Sequence, residues 1–213
     1  MNKASAWIAA VFLILLLPGF VFLANFKAVA FDIDFYEKEF SKYDTGIENE
    51  MEITSDLLYF LEQSENDEKY VAAFEKNEIR HLVDVKRVIH RFLLAFNVIG
   101  ILLFILLVFV FLKDNANLIK NLGISFSLGG IFTLLICFIL AGFLRNFELM
   151  FLKFHELFFA GNWMFSDGFL LIKLFPQQFW VDISHKILIN VIVSANILIV
   201  AGVLMVIYVR YKK

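Results

Sequence analysis

The 213-residue sequence contains one cysteine, Cys137, two prolines and ten glycines. A lone cysteine forms no intrachain disulfide, so a disulfide-stapled domain is excluded. So few prolines and glycines leave no room for a long flexible linker. Basic character is also missing: the formal net charge is −2 and no long Lys/Arg run occurs, which excludes nucleic acid as a partner. Charge of either sign is scarce at 19% of residues, while 61% are hydrophobic and 27 are phenylalanine. A soluble domain is about 45–50% apolar. With a mean hydropathy of +0.77, the composition is that of a small integral membrane protein carrying one polar region.

Four apolar runs, 7–24, 90–112, 122–144 and 187–208, approach or exceed the roughly 20 residues a bilayer crossing needs. None has a charge near its middle, and a lipid-exposed backbone must satisfy its own hydrogen bonds, so all four are expected to be helices. Pro18-Gly19 is expected to kink the first. Ala28-Val29-Ala30 offers a cleavage-like pattern, but the apolar stretch before it is longer than the core of a signal peptide. It is therefore read as a retained span. No internal repeat relates the two halves.

Lys/Arg density sets the expected orientation. With the amino terminus inside, residues 1–6, 113–121 and 209–213 hold six cations and one acid, Asp114. The outer segments, 25–89 and 145–186, hold 12 cations in 107 residues. Both termini are then cytoplasmic. The chain divides into a first span (1–24), an outer helical cap (25–89), spans two and three (90–144), an outer aromatic loop (145–186) and a fourth span with its tail (187–213).

Segment 25–89 has a formal charge of −8 and reads as helices broken near Asp44-Thr45-Gly46 and Ser64-Glu65-Asn66-Asp67. Its apolar groups are Phe35, Phe40 and Tyr43, then Met51, Leu57, Leu58 and Leu61, then Tyr70, Val71 and Phe74. No Gly or Pro interrupts 77–98, so the last cap helix is expected to run straight into the second span. Segment 145–186 is rich in Phe and Trp, as suits short helices at the headgroup level, with Gly161, Gly168 and Pro176 as breaks.

The side chains fit for chemistry are few. His81 has Glu78 and Asp84 three residues away on either side, on one helical face, where either carboxylate can accept the ring N–H. His155 sits in the run Phe154-His155-Glu156-Leu157-Phe158-Phe159, where a buried imidazole needs partners. His90 and His185 lie at span starts and read as anchors. His155-Glu156 begins like a zinc-protease motif, but Phe159 stands where the second histidine belongs, so no metal is expected. No Gly-x-Ser-x-Gly elbow exists, nothing marks Ser166 as activated, and Cys137 is mid-span. Asn97, Asn190 and Asn196 are expected to bond between spans.

The His81 run, Phe154-His155-Glu156-Leu157-Phe158-Phe159, Gly161-Asn162-Trp163 and Leu174-Phe175-Pro176-x-x-Phe179-Trp180 together resemble the lipoprotein intramolecular transacylase family of low-GC Gram-positive bacteria. The likeness extends over most of the chain, including its four-span layout. It implies an all-α membrane acyltransferase without cofactor in the cell membrane. Its substrate would be a lipoprotein whose amino-terminal Cys bears a diacylglyceryl group. The sn-2 acyl chain would move to the α-amino group of that Cys, giving the lyso form. The resemblance puts the family's two functional histidines on His81 and His155.

Physical chemistry accommodates that reaction. An α-ammonium of pKa near 7.7–8.0 must lose a proton before it attacks, and a histidine near 6.5 is a suitable base. The tetrahedral oxyanion needs donors, for which a protonated histidine, Asn162 and the backbone near Gly161 are candidates. Glu78, Asp84 and Glu156 are candidates for orienting the histidines. Trp163, Phe158 and Trp180 are candidates for lining the lipid or anchoring at the interface. Which histidine is base and which acid stays open, as does the oligomeric state. Two rivals stand beside this reading: a hydrolase cutting a lipid ester with water, and a non-enzymatic membrane sensor or accessory protein.

Overall fold

The computed structural model describes residues 3–43, 45–113, 117–161 and 163–211. The regular structure of these residues is helical throughout: α1 (Lys3–Ala30), α2 (Ile33–Phe40), α3 (Glu50–Glu62), a 3-10 turn (Glu68–Val71), α4 (Lys76–Lys113), α5 (Leu118–Leu144), α6 (Phe147–Phe158), α7 (Leu170–Leu174) and α8 (Gln177–Tyr211). Two compact units are built from interleaved stretches of chain. One comprises Met1–Phe26, Leu94–Gly142 and Ile187–Lys213; the other comprises Lys27–Leu93 and Phe143–Lys186.

The first unit holds the apolar helices. Four helices are long and apolar enough to cross a membrane, yet only 11–39% of the most apolar stretch of each is buried. Leu112, Phe138 and Ile197 are among the large side chains left facing outward. Such a surface is stable only where hydrocarbon is the solvent, because water would drive these groups inward. Internally, Ala9, Leu13, Leu103 and Val110 form one cluster, and Val21, Cys137 and Val191 another.

Small residues bring α5 and α8 together. A Cβ at Gly130 would stand 2.7 Å from the Ala195 carbonyl oxygen, and one at Gly202 would stand 2.5 Å from the Gly123 carbonyl oxygen. Backbone thus meets backbone, the contact that small residues permit between membrane helices. Asn25 supplies a polar bond between helices, its amide donating to Ser194 Oγ at 3.1 Å. Asn196, expected to do this, instead donates to the Ile192 carbonyl of its own helix. A side chain one turn from a backbone acceptor needs no partner helix.

The second unit is aromatic inside, and its exposed surface mixes charged residues with apolar ones such as Leu157 and Met164. Phe35, Tyr36 and Phe40 of α2 pack on Phe175 and Phe179, with centroids 5.3–6.4 Å apart. Beside them Tyr43 donates to Asp182 at 2.6 Å, and Lys42 pairs with Glu39 at 2.7 Å. The third piece of the cap, expected to be helical, is a single 3-10 turn, with Val71 and Phe74 buried. The buried Lys86 ammonium is shared between the Glu65 carbonyl and the face of Phe60, 4.2 Å away. His90 Nε2 lies 3.0 Å from the Leu61 carbonyl, which marks Nε2 as the protonated nitrogen and gives the end of α3 a donor.

α4 runs without interruption from the cap into the second span, as the lack of Gly and Pro over 77–98 requires. α8 starts earlier than the apolar pattern suggests. Pro176 is not only a break but the residue from which a new helix departs, ten residues before the apolar run.

Candidate active site

His81 and His155 come together within the second unit. His81 projects from the first turns of α4 and His155 from α6. Their rings lie 6.1 Å apart, centroid to centroid, at 24° to each other. Both are buried, at 5% and 8% exposure. A ring-to-ring hydrogen bond near 2.9 Å is out of reach at that separation, so a third group is needed to join them.

The pair sits in an aromatic box. His155 has Phe151 at 4.0 Å, Trp163 at 4.9 Å, Phe159 at 5.3 Å and Phe154 at 5.6 Å. His81 has Phe159 at 4.9 Å and Phe165 at 5.6 Å. Phe151 and Phe159 stand four residues either side of His155, a spacing that places residues on one helical face. That spacing was available from the sequence and is the signal by which these two rings could have been found. Phe165 has no such signal, because it reaches His81 through a loop.

The box fixes the state of His155. Its Nδ1 lies 2.8 Å from the Phe151 carbonyl oxygen, an acceptor only, so Nδ1 carries the proton and Nε2 is left with a lone pair. Burial lowers its pKa from the ordinary 6.5, while the bond to Phe151 acts in the opposite direction. The ring is therefore neutral at neutral pH, with an acceptor nitrogen available. His81 Nδ1 is buried without a hydrogen-bond partner among the described residues. A bare lone pair is the less costly thing to leave there than an orphaned N–H, which puts the proton of neutral His81 on Nε2.

The carboxylates that share a helical face with the histidines, or stand next to them in sequence, have other partners. Glu78 is fully buried and accepts backbone N–H bonds from Glu75 and Leu171, both at 2.7 Å. Asp84 pairs with Arg87, and Glu156 with Lys153 at 2.7 Å near the surface. Spacing placed Glu78 and Asp84 near His81, but backbone donors and a neighbouring guanidinium claim them. Trp163 lies against His155 with its ring tilted by 39°. Phe158 meets Phe92 at 5.7 Å, and Trp180 meets Phe151 at 6.3 Å while its indole donates to the Phe175 carbonyl. Asn162 lies outside the described residues. Among those described, no third His, Cys, Asp or Glu joins the two histidines in a metal-ligating group.

Two buried imidazoles with complementary tautomers can take a proton from one atom and donate one to another. Comparison with known proteins identifies the family. A family model described as lipoprotein intramolecular transacylase Lit matches residues 6–180, a range that includes both histidines. The fold is similar to the in meso structure of the membrane-integral lipoprotein intramolecular transacylase Lit from Bacillus cereus. The TM-score is 0.79 at 17% identity, covering 99% of this chain and 100% of that one. It is also similar to two single-histidine variants of that protein. The His-to-Arg variant has a TM-score of 0.79, covering 99% of this chain and 96% of that one; the His-to-Ala variant has 0.78, covering 98% and 96%, each at 17% identity. No curated protein sequence matches. At this identity the structures establish the all-helical membrane fold, and the family model establishes membership. The chain thus belongs to the lipoprotein intramolecular transacylase family, and it is a membrane-integral acyltransferase.

Proposed function

We propose that the protein moves the sn-2 acyl chain of a diacylglyceryl-modified lipoprotein to the α-amino group of the same amino-terminal Cys. The observation that carries this reading is the pair of buried, neutral imidazoles facing each other in an aromatic box. His155 Nε2 takes a proton from the amine as its nitrogen bonds to the ester carbonyl carbon. His81 Nε2–H donates to the carbonyl oxygen as it becomes an oxyanion. The intermediate collapses by breaking the bond to the sn-2 oxygen, and His155 returns its proton to that leaving alkoxide. One proton is borrowed and returned, so no Ser or Cys nucleophile is required.

Donor and acceptor belong to one molecule, so most of the entropic cost of bringing them together is met by the substrate itself. The box excludes water, which would otherwise compete with the amine for the ester. Segments 25–89 and 145–186 are placed on the extracytoplasmic side, where a lipoprotein headgroup is displayed; the Lys/Arg distribution supports that side.

A crossover experiment tests the transfer itself. Two synthetic diacyl lipopeptides, one with a deuterated sn-2 chain and the other with a mass-tagged peptide, are mixed with the protein. N-acylated products without exchange of label support the proposal. Scrambled labels, or free fatty acid in place of N-acyl product, contradict it.

A further inference from the structure

Glu78 is as deeply buried as any acidic side chain described, with no exposed surface, yet the reaction proposed above does not use it. Its two oxygens have separate tasks. Oε2 accepts the N–H of Glu75, the residue before α4, and so closes half of a capping box. Oε1 accepts the N–H of Leu171, 93 residues away in the first turn of α7. That turn has no side-chain cap of its own at Phe169, so Glu78 supplies the acceptor an early helical N–H lacks.

The chain leading into α7 carries the lid of the box. Trp163 lies on His155, Phe165 lies on His81, and Phe165 packs in turn on Phe169 at 5.2 Å. Glu78 precedes His81 by one helical turn, so one rigid stretch of α4 carries both the histidine and the anchor of the segment that covers it. We propose that Glu78 is a positioning residue: by tying α7 to α4 beside His81, it holds residues 163–169 against the two histidines and keeps water from them. The catalytic part of this proposal rests on the transacylase reading; the positional part does not. Glutamine offers a single acceptor oxygen and turns an N–H toward one of the two donors, so Glu78→Gln breaks one tie. Aspartate keeps both acceptors on a stem one methylene shorter.

The test uses the full-length protein in lipid nanodiscs, with Glu78→Gln, Glu78→Asp and, as control, Glu39→Gln. Glu39 is a second buried carboxylate, bonded to Lys42 and Tyr43. The first readout is independent of turnover: the rate at which diethyl pyrocarbonate modifies His81 and His155, followed by peptide mass spectrometry. Modification several times faster in Glu78→Gln, intermediate in Glu78→Asp and unchanged in Glu39→Gln supports the proposal. Parent-rate modification in Glu78→Gln, or equal acceleration in Glu39→Gln, overturns it. The second readout is kinetic: Glu78→Gln loses about 10- to 100-fold in kcat, as a displaced reacting geometry does, and its acid limb moves toward pH 6.5 as water enters. Unchanged kcat overturns the catalytic part. If Glu78→Gln fails to insert, Glu78→Asp carries the same comparison, with parent-rate modification again overturning it. Should the parent itself transfer no acyl group, the transacylase reading fails while the modification rates still decide what Glu78 holds.

Discussion

His81 and His155 are held 6.1 Å apart on two helices, and their surroundings favour opposite tautomers. One nitrogen is an acceptor and the other a donor, so the two positions should tolerate different replacements. Glutamine keeps an N–H donor but is no base. His81→Gln should therefore retain clearly more activity than His81→Ala, whose loss of an oxyanion donor costs about 10²–10³ in kcat. His155→Gln and His155→Ala should be equally inactive. Single-turnover acyl transfer by the four variants checks this; equal loss at both positions would remove the division of roles.

The acid limb of activity should report His155. Burial lowers its pKa below 6.5, so the base is fully present at neutral pH and is lost only as pH falls through that depressed value. Phe151→Ala removes the ring 4.0 Å from the imidazole and admits water, which should move the limb up toward 6.5. Stability follows the same direction. The unfolded chain binds the His155 proton more readily, so this contribution is present above pH 6.5 and declines through the window below it. Profiles of kcat/KM and melting temperature against pH test both; the substrate amine, near 7.7–8.0, adds its own limb to every profile, so the deciding comparison is parent against Phe151→Ala, and coincident profiles would count against a buried base.

Trp163 and Phe158 are both aromatic and lie five residues apart, but of the two only Trp163 packs against a histidine. An aromatic pair is worth about 0.5–1.5 kcal/mol beyond its buried area. Trp163→Ala should lower kcat by roughly that amount of transition-state energy, about 2- to 12-fold at 1.36 kcal/mol per decade. Phe158→Ala should act mainly on stability. The comparison needs kcat and melting temperature for both; reversal of the two effects would show that Trp163 is only an anchor.

How much of this was legible in the sequence depends on the range of the interaction. The spans, the continuous α4 and the two histidines follow from local pattern or from motif likeness. The rings at Phe151 and Phe159 were also local, four residues either side of His155. Glu78 is legible only in part, because its spacing from His81 is local while its other partner, Leu171, is 93 residues distant. Phe165 and the Asn25–Ser194 bond have the same character: nothing in the neighbouring sequence announces a partner that only the fold brings near. The early start of α8 was hidden because Gln177 to Lys186 is too polar to read as part of an apolar span.

The close approach of α5 and α8 predicts a strict size limit. A valine at Gly202 would force its Cβ to within 2.5 Å of the Gly123 carbonyl oxygen and Ser127 Oγ. Overpacking of this kind costs about 1–3 kcal/mol. Gly202→Val should lower the melting temperature in detergent, whereas Gly142→Ala, where a Cβ would meet no described atom within 4 Å beyond its own stretch of helix, should not. Equal melting of both variants would mean that these helices are not in backbone contact.

The central claim is an intramolecular acyl shift carried out by His81 and His155. Its most direct test is the mass of a lipoprotein's amino-terminal lipopeptide from cells whose lipoproteins are otherwise only diacylated. The protein, His81→Ala and His155→Ala are expressed in turn, each with membrane insertion verified. The account predicts that the parent moves one acyl group onto the Cys nitrogen at unchanged total mass, with fragment ions reporting the N-acyl linkage, and that neither variant does so. An unmodified lipopeptide beside the inserted parent, the loss of one acyl mass, or full transfer by either variant would contradict it.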